Sequence, residues 1–292
     1  MEDQNKNLIL AIVLSSLVIL VWYTMFAPPP VQPTPDVTTS ETAVPEVAVT
    51  PPAPDVVTPT ETQPDTSAVA AAPRVEIDTP RLKGSISMLG GRIDDLSLKA
   101  YRETLEPDAD IVRLLSPIGG TDLSAAKPYY AVYGWLPAGG LNPDLVPGAR
   151  TIWDIASGTA LAPGSPVELR WDNGAGLIFT RTISVDQDYL FTIRQSVENT
   201  TGAPVRLAPY GIVARHGEPD VQNFFVLHEG VVRMSDGELL ETPYDEMPEL
   251  GVVQREGVPA DVVDVTQNGW VGFTVKYWMT TLAPQAGQAF TS

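Results

Sequence analysis

The sequence predicts a mostly β protein: a large antiparallel β-sandwich over residues 74–292, tethered to one N-terminal transmembrane helix. Three observations predict it. An uncharged apolar run fills residues 8–26, a proline-rich acidic stretch fills residues 27–73, and from residue 74 onward apolar side chains recur with a period of two between turn signals.

The apolar run has 19 residues, of which twelve are Leu, Ile, Val or Phe. As a helix it spans roughly 28 Å, close to the ~30 Å hydrocarbon thickness of a bilayer. Those twelve side chains favour insertion by roughly 4–7 kcal/mol at most. Trp22 and Tyr23 close the run, where aromatic rings suit the membrane–water interface. A cleaved secretory signal fits less well. The leading segment pairs Lys6 with Glu2 and Asp3, and Pro28, Pro29 and Pro30 follow where a peptidase needs an adaptable strand. Lys6 and the α-amino group precede the span, and no base follows it until Arg74. Residues 1–7 are therefore expected in the cytoplasm, with the rest of the chain translocated.

Twelve of the 47 residues in 27–73 are proline, with six acids and no base. Proline removes amide donors and fixes φ, so this stretch is expected to be an extended, disordered linker.

Residues 74–292 carry 17 bases and 28 acids, a charge of −11. Val75 and Ile77 alternate with polar neighbours, as do Leu82, Ile86 and Met88, then Tyr189, Phe191, Ile193 and Val197; each set predicts one buried sheet face. Residues 167–171 and 177–183 flank Asp172, Asn173 and Gly174, which predicts a hairpin with a tight turn. Gly90-Gly91 and Asp236-Gly237 mark further turns, and no amphipathic helical period precedes Trp270. Trp135, Trp153 and Trp171 are expected in core or turn packing.

Composition excludes several chemistries. The chain has no cysteine, so it has no disulfide scaffold, thiolate metal site or cysteine nucleophile. Two histidines, His216 and His228, cannot make a three-histidine metal site. A net charge of −18 over the whole chain argues against nucleic acid as a partner. A His–Glu acid–base pair is conceivable, because Glu218 and Glu229 stand near the two histidines. Glycines beside both instead suggest ordinary turn positions. The pairs Asp94/Asp95, Asp108/Asp110, Asp186/Asp188 and Asp245/Glu246 are expected to be solvated turn residues. No phosphate loop or nucleophile elbow occurs. No catalytic residue, metal site or cofactor is therefore assigned.

Residues 269–284 form an aromatic-rich run with one charge, Lys276, which predicts a buried strand or strand pair ending at Pro284. Gly269, Trp270, Lys276, Tyr277 and Pro284 in this run resemble the YidC/Oxa/Alb family of membrane-protein insertases, in its Gram-negative bacterial branch. So do the polar start with Gln4, Asn5 and Asn7, the span directly after it, the linker, and a Gly-Gly turn within Met88, Gly90, Gly91, Arg92 and Leu96. The resemblance covers the whole chain in order; the 269–284 run is its specific motif and the remainder is layout.

The resemblance implies a periplasmic β-supersandwich, similar to sugar-mutarotase folds, on an inner-membrane protein. It implies a non-enzymatic insertase and chaperone for nascent integral membrane proteins, working alone or with subunits of the Sec translocon. In that family a hydrophilic groove with an arginine, set among later transmembrane helices, receives the incoming chain. The resemblance implies further sandwich strands and those helices after residue 292, so the chain is expected to be a fragment or a truncated relative, its sandwich C-terminally incomplete and no groove residue transferable. The expected organisation is residues 1–7 cytoplasmic, 8–26 transmembrane, 27–73 linker and 74–292 periplasmic domain. Two alternatives belong to other classes: a periplasmic carbohydrate-binding or epimerase-like sandwich, and an envelope-spanning adaptor similar to TonB-type transducers.

Overall fold

In the computed structural model the described residues are 71–118, 127–219, 228–275 and 277–292. The expected span at 8–26, the linker up to residue 70 and Lys276 lie outside them. Among the described residues no helix is long and apolar enough to cross a membrane.

The described residues form nineteen strands: β1 (Arg74–Asp78), β2 (Leu82–Ser87), β3 (Arg92–Arg102), β4 (Ile111–Leu115), β5 (Tyr129–Ala138), β6 (Asp154–Ser157), β7 (Ala160–Leu161), β8 (Val167–Asp172), β9 (Leu177–Val185), β10 (Phe191–Asn199), β11 (Arg206–Arg215), β12 (Gly230–Ser235), β13 (Glu238–Pro243), β14 (Val252–Val253), β15 (Val258–Pro259), β16 (Asp264–Val265), β17 (Trp270–Val275), β18 (Trp278–Leu282) and β19 (Phe290–Thr291). The helical content is small, as the sequence pattern predicts; two single-turn 3-10 helices cover Pro143–Leu145 and Met247–Glu249.

Three main sheets result. The first runs β11-β5-β3-β2-β1-β7, with β4 also paired to β3. The second runs β10-β9-β8-β6 and the third β13-β12-β17-β18. Pairing is antiparallel except for β1 and β7, which run parallel.

The first two sheets face each other as a sandwich. Val75, Ile77, Leu82, Ile86, Leu96 and Trp135 from one meet Val167, Leu169, Leu177, Phe179 and Ile183 from the other in one buried cluster. The Trp135 and Phe179 rings meet edge-on at 5.0 Å, the geometry favoured by aromatic quadrupoles. Each such fully buried side chain contributes about 1.5–3 kcal/mol relative to exposure. Along β9 burial alternates strictly, so one face of the strand supplies the core. The third sheet joins the sandwich through Phe273 and Trp278, both partly buried against the same cluster.

The expected hairpin is present as β8 and β9, with Asp172 opposite Ile178. Its connection is looser than the tight turn expected: Gly174 and Gly176, rather than Asn173, take the positive φ values of 68° and 93°. Asn173 acts as a staple, its carboxamide oxygen accepting from the amides of Ala175 and Leu177. Asp236-Gly237 is a two-residue turn, with Ser235 opposite Glu238.

Two expectations are corrected. Tyr189 does not join Phe191, Ile193 and Val197 on a buried face. It is 39% exposed in the turn before β10, where Asp186 Oδ1 accepts the amides of Asp188, Tyr189 and Leu190. That caging starts the alternation two residues late, and Phe191, Ile193 and Val197 pack against the core as expected. Asp94 is not a solvated turn residue. Ser85 pairs with Asp95 and Ile86 with Ile93, so Asp94 is the extra residue of a bulge in β3. It is buried and bonded to the Arg74 guanidinium. The other carboxylate pairs, Asp108/Asp110, Asp186/Asp188 and Asp245/Glu246, are exposed.

Candidate functional site

The Gly-Gly turn of the sequence motif connects β2 to β3. Gly90 and Gly91 have φ values of 75° and 62°, a region that glycine occupies without a Cβ penalty. The Gly90 amide donates to the Thr151 carbonyl at 2.7 Å, and the Trp153 amide donates to the Met88 carbonyl at 2.9 Å. These bonds lay the segment before β6 along the turn and seat the Trp153 indole in the core.

Arg181, on the core-facing side of β9, completes this corner. Its Nη1 donates to the Gly91 carbonyl at 2.8 Å and its Nη2 to the Tyr133 carbonyl of β5. The guanidinium also lies over the Trp153 ring at 4.6 Å. A Cβ on Gly91 would stand 2.4 Å from Nη1, so the second glycine leaves room for the cation. Arg181 is 1% exposed. Burial lowers its pKa to about 10, against the opposing effects of Tyr210 and Tyr133. It remains a cation at neutral pH, held by two carbonyls and a ring rather than by a carboxylate.

A second charged group lies beside the turn. Arg92 is buried over the Tyr130 ring, with its Nε and Nη2 directed at the Leu89 and Ala149 carbonyls. Asp94 bonds Arg74, the first residue of β1. Burial raises the Asp94 pKa, while Arg74 and then Arg92 pull it down. These groups fix carbonyls, rings and a strand end; their chemistry is positional.

The 269–284 run folds as the β17–β18 hairpin, a strand pair as expected but half-buried rather than buried, because only Gly272 among its described strand residues is fully covered. Gly269 stands just before β17 because a Cβ there would meet Val265 Cγ1 at 2.4 Å and the Phe290 ring at 2.8 Å. Gly272 is equally constrained, by the Thr280 carbonyl oxygen at 2.4 Å. Trp270 is half-buried opposite Met234 of β12. Trp278 opens β18 and meets Tyr101 of β3 edge-on at 4.7 Å. Tyr277 lies in the turn and is 69% exposed; Pro284 follows β18 and is half-buried. Gly269 and Trp270 thus serve the sheet while Tyr277 is presented to solvent. Among the described residues, Gly269, Trp270, Tyr277 and Pro284 stand in different surroundings.

Between this hairpin and the sandwich sits an aromatic group around Arg215. Its guanidinium lies over Tyr129 at 4.7 Å and near Tyr244 at 5.8 Å. Tyr244 stacks on Phe273 and donates from its hydroxyl to the Thr274 carbonyl at 3.0 Å. Burial pushes its pKa up to about 12, despite Arg215.

The histidines are engaged separately. His216 approaches the Tyr130 hydroxyl at 3.2 Å through Nε2, and His228 Nε2 approaches the Val231 carbonyl at 3.0 Å. Among the described residues no group of His, Asp or Glu side chains is placed to hold a metal ion. Trp135 and Trp153 are buried and Trp171 half-buried, as expected. Arg181 was not anticipated from the sequence. Its signal was present in the alternation Leu177, Phe179, Arg181, Ile183, which places an arginine on the apolar face of a strand.

Comparison with known proteins bears on all of these features. Residues 74–292 match the family model described as the YidC periplasmic domain. The chain is 58% identical to the membrane protein insertase YidC of Dinoroseobacter shibae, covering 100% of this chain and 48% of that protein. It is 58% identical to the membrane protein insertase YidC of Cereibacter sphaeroides, with 100% and 46% covered. The same-named protein of Paracoccus denitrificans is 54% identical, with 100% and 49% covered. The chain spans about half the length of the curated relatives it matches. With a strand-built body, the Gly-Gly corner and the 269–284 hairpin all inside the matched region, the chain belongs to the YidC family and residues 74–292 to its periplasmic-domain family.

Proposed function

We propose that this chain is the N-terminal, membrane-anchored and periplasmic portion of a non-enzymatic membrane-protein insertase. The observation that carries this reading is the match of residues 74–292 to the YidC periplasmic domain, together with whole-chain relatives named membrane protein insertase YidC. Residues 1–7 lie in the cytoplasm, 8–26 cross the inner membrane, 27–73 form the linker and 74–292 stand in the periplasm. Nascent integral membrane proteins are the substrates, and Sec translocon subunits are the partners. The exposure of Tyr277 and the place of β18 at the end of the third sheet support protein contact by this portion. The family match favours this reading over a carbohydrate-binding sandwich or an envelope-spanning adaptor.

The test is depletion and rescue with the full-length gene, following insertion of a multispanning inner-membrane protein. Depletion is expected to leave that protein uninserted, and re-expression to restore it. Unchanged insertion on depletion would overturn the proposal.

A further inference from the structure

The sequence contains two Asn-Gly dipeptides, Asn173-Gly174 and Asn268-Gly269, and the fold treats them differently. In the first, every reacting group is occupied. Asn173 Nδ2 donates to the Leu145 carbonyl at 3.0 Å, and Oδ1 accepts from the Ala175 and Leu177 amides at 2.8 and 3.1 Å. The Gly174 amide donates to Asp172 Oδ1 at 3.0 Å. In the second, Asn268 is exposed, and among the described residues no hydrogen bond holds its carboxamide or the Gly269 amide. Asp236 binds the preceding Thr266 and Gln267 amides and stops there. Asn268 has a φ of 53°, a left-handed conformation that asparagine tolerates.

We propose that Asn268 is a site of spontaneous deamidation in the folded protein, and that Asn173 is protected from it. The Gly269 nitrogen attacks the Asn268 side-chain carbonyl carbon, which a following glycine leaves unshielded. The bond from that carbon to Nδ2 breaks, and ammonia departs with the proton from the Gly269 nitrogen. A succinimide ring remains. Water then opens either carbonyl, giving aspartate or isoaspartate; the net change is water consumed and ammonia released, with no redox partner. Isoaspartate adds a backbone methylene at a point where Gly269 already fits tightly against Val265 and Phe290. The lesion therefore falls at the entry of β17, in the run that carries the family motif. At Asn173 the same chemistry requires the β8–β9 connection to open first, which local stability opposes.

The full chain, purified in detergent, is incubated at neutral pH and mapped by peptide mass spectrometry, with isoaspartate detected by enzymatic methylation from S-adenosylmethionine. In the folded protein the Asn268 peptide is expected to deamidate roughly tenfold or more faster than the Asn173 peptide. In urea the two rates are expected to converge, since both are Asn-Gly. Equal rates in the folded protein, a faster Asn173, or an Asn268 that reacts only in urea would each overturn the proposal. The Asn268→Gln variant is expected to abolish the isoaspartate signal from that peptide without changing the Asn173 rate.

Discussion

Arg181 and Gly91 are joined across the sandwich: Arg181 Nη1, from the middle of β9, donates at 2.8 Å to the carbonyl of the second glycine in the β2–β3 turn. The same guanidinium reaches the Tyr133 carbonyl of β5, so one side chain ties the second sheet to two places on the first. A buried cation with no carboxylate partner among the described residues depends on such bonds, because its desolvation is otherwise uncompensated.

Removing the clamp exposes its worth. Arg181→Ala is expected to lower unfolding stability by about 3–5 kcal/mol, combining a cavity with the loss of two hydrogen bonds to carbonyls. Arg181→Met, which fills the space without the charge, is expected to lose less. Urea unfolding followed by tryptophan fluorescence measures both; an Arg181→Ala midpoint equal to wild type refutes the clamp.

Gly91→Ala attacks the other partner. The new residue keeps the positive φ and its methyl stands 2.4 Å from Arg181 Nη1, so about 2–4 kcal/mol is expected to be lost. In the Arg181→Met background the loss is expected to shrink, because the crowding guanidinium is gone. A double-mutant cycle reads the coupling.

The family-motif hairpin makes a separate prediction. Gly269→Ala drives a methyl into Val265 and Phe290 and is expected to cost about 1–3 kcal/mol by overpacking. Trp278 and Tyr101 are expected to show a coupling of about 0.5–1.5 kcal/mol in their own cycle, the range for an edge-on aromatic pair. Additive effects of the two truncations would mean that the rings are not in contact in solution.

Two carboxylates set opposite trends at acid pH. Asp236 accepts from the Thr266 hydroxyl and from the Gln267 and Thr266 amides, which depresses its pKa. Its stabilisation is therefore complete above the unfolded value of about 3.9 and fades as pH falls through the lower folded value. Asp94 has a raised pKa through burial, so the folded state takes up that proton first and gains relative stability as pH falls toward the unfolded value. Asp236→Asn is expected to flatten the acid loss below about pH 4, and Asp94→Asn to remove the gain that precedes it above about pH 4. Thermal midpoints measured between neutral and acid pH distinguish the two.

Much of the fold was legible because period-two alternation survives wherever one sheet face is dry. Val75/Ile77 came directly from it, and the β8–β9 pair from the turn signal at Asp172, Asn173 and Gly174 between two apolar runs. Tyr189 failed because alternation cannot show that Asp186 has caged three successive amides and delayed the strand. Asp94 failed because a bulge shifts register by one residue, and a carboxylate beside a strand reads as a turn until Arg74, 20 residues away, is seen to meet it. The parallel β1–β7 contact has no local signature at all, since its partners lie more than eighty residues apart. At the candidate site the glycines were visible as turn signals, but the guanidinium they accommodate was not, because nothing near Gly91 in sequence announces Arg181.

The proposal that the sandwich is translocated and held to the membrane by the N-terminal span is tested most directly by site-specific thiol labelling. Residues 1–292 contain no cysteine, so with any cysteine elsewhere in the full-length protein replaced, Asn5→Cys and Leu105→Cys each give a single probe, the second at a fully exposed position. The measurement is reaction with a membrane-impermeant maleimide in spheroplasts carrying the full-length protein. The prediction is that Leu105→Cys is labelled at once and Asn5→Cys only after detergent is added. Labelling of Asn5→Cys from outside, or protection of Leu105→Cys until lysis, would contradict it.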